Sequence, residues 1–288
     1  MAALRIGTCS WKFDSWVGLV YSEKDRAGYL REYARRYDTV EVDQWFWSLF
    51  GRDKIALPEP AVVREYAESV PASFRFSVKV PNSITLTHFY KKAGSDALVG
   101  NPHFLSVDLF NKFLTALEPM GRRLGPLMFQ FEYLNKRKMA SQADFLEQFS
   151  DFIGACPRGY RYCVETRNPN YLNRTYFDFL RRHRLCHVFL QGYYMPPVFE
   201  VYREFGGGIR GLTVIRLHGP SRIDIEARTG KKWDSIVEPR DKELDSLKEM
   251  LYDLRERKVT TYLNVNNHYE GSAPLTIERI ESRLLGRG

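Results

Sequence analysis

Eight short apolar runs, rich in β-branched and aromatic residues, recur along this chain and alternate with amphipathic segments. They are RIGTCSW (5–11), TVEVDQ (39–44), FRFSVKV (74–80), GPLMFQF (125–131), YRYCVET (160–166), LCHVFLQ (185–191), LTVIRLH (212–218) and TTYLNVN (260–266). Runs of this length and content read as strands of a buried sheet. The segments between them carry helical spacing. In 241–257, Leu244, Leu247, Leu251 and Leu254 fall on one face and charges fill the other. Helices are also expected near 28–37, 61–69, 105–118, 141–154, 175–183 and 274–285. The sixth connection, PPVFEVYREFGGG, reads as an irregular or missing helix.

This alternation predicts an α/β fold, a single TIM (β/α)8-type parallel barrel over 1–288. The structural alternative is an open doubly wound sheet. That fold ordinarily follows its first strand with a glycine-rich phosphate loop, and IGTCSWKFDSW is not one. No Pro/Gly/Ser-rich linker or internal repeat divides the chain, so one domain is expected. Hydrophobic residues at 44% and charged residues at 27% of 288 positions are enough for a sizeable core. No apolar stretch approaches the roughly 18 residues of a spanning helix, so no membrane partner is expected. The opening MAALRIGTCSW carries no secretory pattern, and a cytoplasmic protein is expected. Cys9, Cys156, Cys163 and Cys186 lack CxxC spacing and read as reduced, mostly buried thiols.

The function-bearing signal lies at the downstream ends of the runs. A parallel barrel gathers its functional groups at the C-terminal strand ends, and several of these runs finish in charged or amide residues. Side chains alternate across a strand, so Glu41 with Asp43, Glu165 with Arg167, and Arg216 with His218 each share a face. Lys79 and Gln130 end their own runs; Asn264 and Asn267 lie at the eighth exit, and His88 begins a loop after the third. Glu41, Glu165 and His218 are the candidate catalytic groups, with Glu165 favoured as acid or base and His218 as proton carrier. Lys79, His88, Gln130, Arg167, Arg216, Asn264 and Asn267 are candidate substrate contacts, the two arginines as an anion clamp. The bland alternative is that Glu165–Arg167 and Glu41–Arg216 are structural ion pairs.

Glu41, Asp43, Glu165, His218 and His268 offer ligands for a divalent metal, but no HExxH or His-x-His spacing joins them, and a metal site is not favoured. No cofactor motif is present, and the cofactor is unassigned. The net charge of +8 permits attraction to anions or nucleic acid. The basic residues, however, come as short pairs and triplets: Arg35–Arg36, Arg122–Arg123, Lys136–Arg137–Lys138, Arg181–Arg182 and Lys231–Lys232. Solvated faces are their usual explanation. Trp11, Trp16, Trp45, Phe46 and Trp47 crowd the first two exits, where packing over the mouth competes with stacking on a ligand.

The segments IGTCSW, YLREYARRYDTVEVD, FRFSVKVP with ITLTH, LGPLMFQF, VETRNP, VIRLHGP and YLNVNNHYEGSAPL, in this order, resemble the DUF72 (YecE-like) family of TIM-barrel proteins. The resemblance implies a barrel with a polar cleft around Glu41, Lys79, His88, Gln130, Glu165, Arg167, Arg216, His218 and Asn267. It implies no particular reaction. The chain departs from the pattern at VEVDQWFW (40–47), where the family commonly reads VEINSTFY. It also lacks the proline pair after Phe129–Gln130, and carries Asn168 where His often follows the arginine. Three readings follow: an acid–base hydrolase or isomerase acting on a small polar or phosphorylated compound, a nucleic-acid-binding or -processing barrel, and a non-catalytic ligand-binding protein.

Overall fold

The computed structural model describes residues 3–52, 54–90 and 97–285. Eight parallel strands close into a barrel: β1 (Leu4–Thr8), β2 (Thr39–Val42), β3 (Arg75–Lys79), β4 (Leu124–Phe131), β5 (Arg161–Thr166), β6 (Cys186–Gly192), β7 (Leu212–Gly219) and β8 (Thr260–Val265). Each pairs with its neighbours in sequence, and β1 closes the ring against β8. The expected strands all form. The first stops at Thr8 rather than Trp11, because Ser10 turns to φ +132° and breaks the extended chain.

Helices follow the strands in turn: α1 (Tyr29–Arg36), α2 (Pro60–Glu68), α3 (Val107–Leu117), α4 (Gln142–Ala155), α5 (Arg174–Arg182), α6 (Val198–Phe205), α7 (Asp241–Glu256) and α8 (Ala273–Leu285). Local chemistry sets their starts. Ser106, Ser141 and Asn173 each accept a hydrogen bond from the N–H three residues on, capping α3, α4 and α5. Helix α6 corrects the expectation of an irregular or missing sixth helix. Val198 and Val201 are buried, with Tyr202 and Phe205 packed beside them, so the segment has an apolar face at helical spacing. Its brevity and the glycines at 206–208 hid that face. Those glycines form a 3-10 turn. Two further short helices, Asn82–Thr85 and Arg222–Thr229, sit in the loops after β3 and β7.

The main core lies between strands and helices, as in Phe129 packed with Phe110, Phe149 and Phe152. A second, smaller apolar cluster of Met128, Cys163, Val188, Leu212, Val214 and Tyr262 fills the inside of the barrel. Two residues further along the same faces stand Gln130, Glu165, Arg216 and Asn264. The period-two alternation of the strands therefore stacks a polar layer directly on an apolar plug. Among the described residues no helix is long and apolar enough to cross a membrane. All four cysteines are free; Cys9, Cys156 and Cys163 are buried and Cys186 is half-buried.

Candidate functional site

Every strand delivers a polar side chain to the C-terminal end of the barrel, either from its last residues or from the first turn beyond. Register sets who meets whom: Glu41 sits opposite Ser77, Gln130 opposite Glu165, and Arg216 opposite Asn264. At the centre, the Arg216 guanidinium donates to both oxygens of Glu41, at 2.8 Å from Nε and 2.7 Å from Nη2. Its Nη1 donates to Glu165 Oε2 at 2.5 Å and to Gln130 Oε1 at 3.2 Å. Arg167 donates from Nε to Glu165 Oε1 at 2.6 Å and from Nη2 to Gln130 at 3.4 Å. Asn264 Nδ2 donates to Glu41 Oε2 and Ser77 Oγ, both at 3.2 Å, while its own Oδ1 is buried without a donor. Glu41, Glu165, Arg216 and Asn264 are all buried.

Compensation is the physical reason that these charges can share a buried space. A bidentate fork on one carboxylate and a third N–H on another use most of the Arg216 donors. Burial alone would raise the Glu165 pKa, but the Arg167 and Arg216 charges outweigh it and pull it down to about 2. Glu165 is thus a permanent carboxylate at neutral pH. The Arg216 side chain is occupied with Glu41 and Glu165, which leaves Arg167 as the less committed of the two arginines. That group keeps donors uncommitted and stacks on the Tyr193 ring, 4.6 Å from its centroid.

Beside this closed array stand further polar groups, some of them without a partner. Lys79 ends β3 and is buried, yet its Nζ makes no hydrogen bond or ion pair with a described residue. It lies 3.8 Å over the centroid of Phe46. Burial first, and then the positive Arg216, lower its pKa to about 8. Asp43, just past the end of β2, moves the other way: burial and the neighbouring Glu41 raise its carboxyl to about 6. His218 is held neutral, its pKa drawn well down by burial and by Arg216. Its Nδ1 is 3.2 Å from Tyr193 OH and its Nε2 is 3.7 Å from Cys9 Sγ. The Cys9 thiol also reaches Glu41 at 3.6 Å, and burial with that carboxylate pushes it up, so it is not a ready nucleophile.

Eight of the ten expected site residues meet here: Glu41, Lys79, Gln130, Glu165, Arg167, Arg216, His218 and Asn264. The other two stand apart. His88 Nδ1 is 2.9 Å from Thr87 Oγ1, and its backbone bridges to Gly100. Asn267 Oδ1 accepts from the Ala273 N–H at 2.8 Å, capping the start of α8. Three members were absent from the expected set: Cys9, Ser77 and Tyr193. Their residue types carry little signal, and only their place just before or after a strand end could have flagged them. Asp43 drew attention only as a face-mate of Glu41 and a metal ligand. Among the described residues no group of three or more His, Cys, Asp or Glu side chains is placed to hold a metal ion.

A profile described as "Protein of unknown function DUF72" matches residues 5–287. The chain belongs to the DUF72 family. The YecE protein of Escherichia coli K12 (UPF0759) is 28% identical over 169 residues, 58% of this chain and 50% of YecE. The chain thus matches about half the length of that curated relative. Two crystal structures share the fold. A DUF72 family protein from Thermotoga maritima superposes with a TM-score of 0.67 at 22% identity, covering 98% of both chains. One from Enterococcus faecalis V583 gives 0.69 at 17% identity, over 98% of this chain and 95% of that one.

Proposed function

We propose that this DUF72 barrel is an acid–base enzyme, a hydrolase or isomerase, acting on a small anionic substrate at the C-terminal mouth. The observation that carries the reading is Lys79, a buried ammonium with no carboxylate partner, set beside an ion-pair array that is already compensated. A buried cation left unpaired is costly, and an incoming anion relieves that cost. Arg167 supplies the second contact through its uncommitted donors. Asp43 and Lys79 have pKa values pushed toward each other across neutrality, which suits them as proton acceptor and donor. Glu41, Arg216, Glu165 and Gln130 act as the rigid frame, and neutral His218 as a hydrogen-bonding group. Proton transfer thereby moves from Glu165 and His218, the groups favoured on sequence grounds, to Asp43 and Lys79.

Sulfate binding by calorimetry tests the anion site, because sulfate keeps its charge across the range. Lys79→Met should weaken it at least ten-fold at pH 7. Wild-type affinity should fall as pH rises through about 8, where the ammonium loses its proton. Turnover of phosphate monoesters and sugar phosphates tests the chemistry. Its rate should rise through about pH 6 and fall through about 8, and Asp43→Asn should remove the acid limb. Sulfate affinity indifferent to both Lys79→Met and pH would sink the reading. A non-catalytic ligand-binding barrel is the second reading, favoured by the closure of Glu41, Arg216 and Glu165 on one another. It requires the same anion binding with no turnover of any monoester.

A further inference from the structure

A cavity of about 940 Å³ opens between the loops that follow β2 and β3. That volume suits a ligand of metabolite size. Phe50 and Arg52 line one side, and Phe89, Tyr90, Val99 and Asn101 the other. Buried amides pin both walls. Asn82 Oδ1 accepts from the backbone N–H groups of Ser48 and Leu49 at 2.9 and 3.0 Å. Asn101 Nδ2 donates to the carbonyls of Ser83 and Leu86 at 2.8 and 2.7 Å. On these fixed walls Phe50 and Tyr90 remain 62% and 52% exposed. The Arg52 guanidinium makes no ion pair or hydrogen bond with a described residue. Exposed rings gathered on a pinned concave surface mark a binding site more often than scattered ones do.

A row of rings joins this cavity to the barrel mouth. Lys79 Nζ sits over Phe46; Phe46 meets Trp47 edge-on at 5.2 Å; Trp47 approaches Tyr90 at 6.0 Å. Trp47 is itself more than half exposed. One ligand can therefore place an anionic group at Lys79 and Arg167 and a flat ring against Trp47 and Tyr90. We infer that the substrate is nucleotide-like in build: a phosphate, a polar linker of sugar size, and a planar ring that lies in the cavity. This inference rests on the anion-binding reading of the mouth and names the rest of the molecule bound there. Stacking of a ring on exposed aromatics adds affinity for a planar ligand, because every base presents a π face.

Calorimetric titration of the full chain with adenosine 5′-monophosphate, adenosine and inorganic phosphate separates the two ends. The monophosphate should bind at least ten-fold more tightly than phosphate. Trp47→Ala with Tyr90→Ala should abolish that gain and leave phosphate affinity unchanged, whereas Tyr90→Phe should preserve it. Both aromatic positions are solvent-exposed, so the variants keep the fold. Lys79→Met should weaken the monophosphate and phosphate alike and leave adenosine unaffected. A monophosphate that binds no better than phosphate, or a gain that survives loss of both rings, overturns the ring subsite and leaves the mouth reading standing. Adenosine binding that depends on Tyr90 without any phosphate binding overturns the mouth reading and, with it, the joined substrate.

Discussion

Arg216 lets two carboxylates occupy a space where either alone would be expensive. Glu41 takes its fork, Glu165 takes its remaining arm, and Arg167 closes the far side of Glu165. Removing one partner from such a buried array leaves the others uncompensated, which typically costs about 3–5 kcal/mol. Glu165→Leu should therefore destabilise the protein by roughly that amount in urea titrations at pH 7. The sign with pH follows from its depressed pKa. The contribution is fully present above the ordinary carboxylate range and is lost only as pH falls through about 2. A loss below about 1 kcal/mol would mean that the array is not a frame. The identities of Glu41, Glu165 and Arg216 were legible in the sequence as strand-end charges, but their division of labour was not. Arg216 and Lys79 are both cations at a strand exit, and only the distances show that one is saturated and the other free.

At the scale of elements, the exits of β6 and β7 show how backbone geometry aims a side chain. Gly192 and Gly219 pair across the two strands, both at positive φ, and a Cβ on Gly192 would meet the Gly219 carbonyl oxygen at 2.3 Å. Gly219 has φ +75°, and a Cβ there would lie 2.4 Å from the His268 oxygen. Tyr193, donating its N–H to Gly219 O at 3.0 Å, is thereby placed against His218. Gly219→Ala should lower stability by about 1–3 kcal/mol and separate Tyr193 from His218. Chemical denaturation checks the first effect, and a shift in the His218 ring resonances the second. Unchanged stability would show that the close approach is not enforced. All eight strands and seven of the helices could be anticipated from apolar periodicity, because burial on a regular backbone leaves its period in the sequence. Helix α6 could not, since Val198, Val201 and Phe205 span barely two turns before a run of glycines.

Across the whole molecule, members of the basic pairs and triplets are engaged by nearby carboxylates. Arg36 pairs with Glu278, Lys138 with Glu132, Arg181 with Asp178, and Lys231 with Glu226. Mixed-sequence oligonucleotides should therefore bind weakly, with a shallow dependence of affinity on salt in fluorescence anisotropy. A slope equivalent to six or so released counterions would restore the nucleic-acid reading. The run of strand-like and helix-like segments, with polar groups at the strand exits, was determined by the sequence alone, and it carries the barrel and the polar layer at its C-terminal end. Local periodicity suffices for that, because each element answers to its own pattern of burial. Which charges are spent on one another, which ammonium is left free, and where the loops enclose an aromatic cavity were decided only by the tertiary structure. Those properties depend on distances between residues far apart in the chain, and on burial that no single segment records.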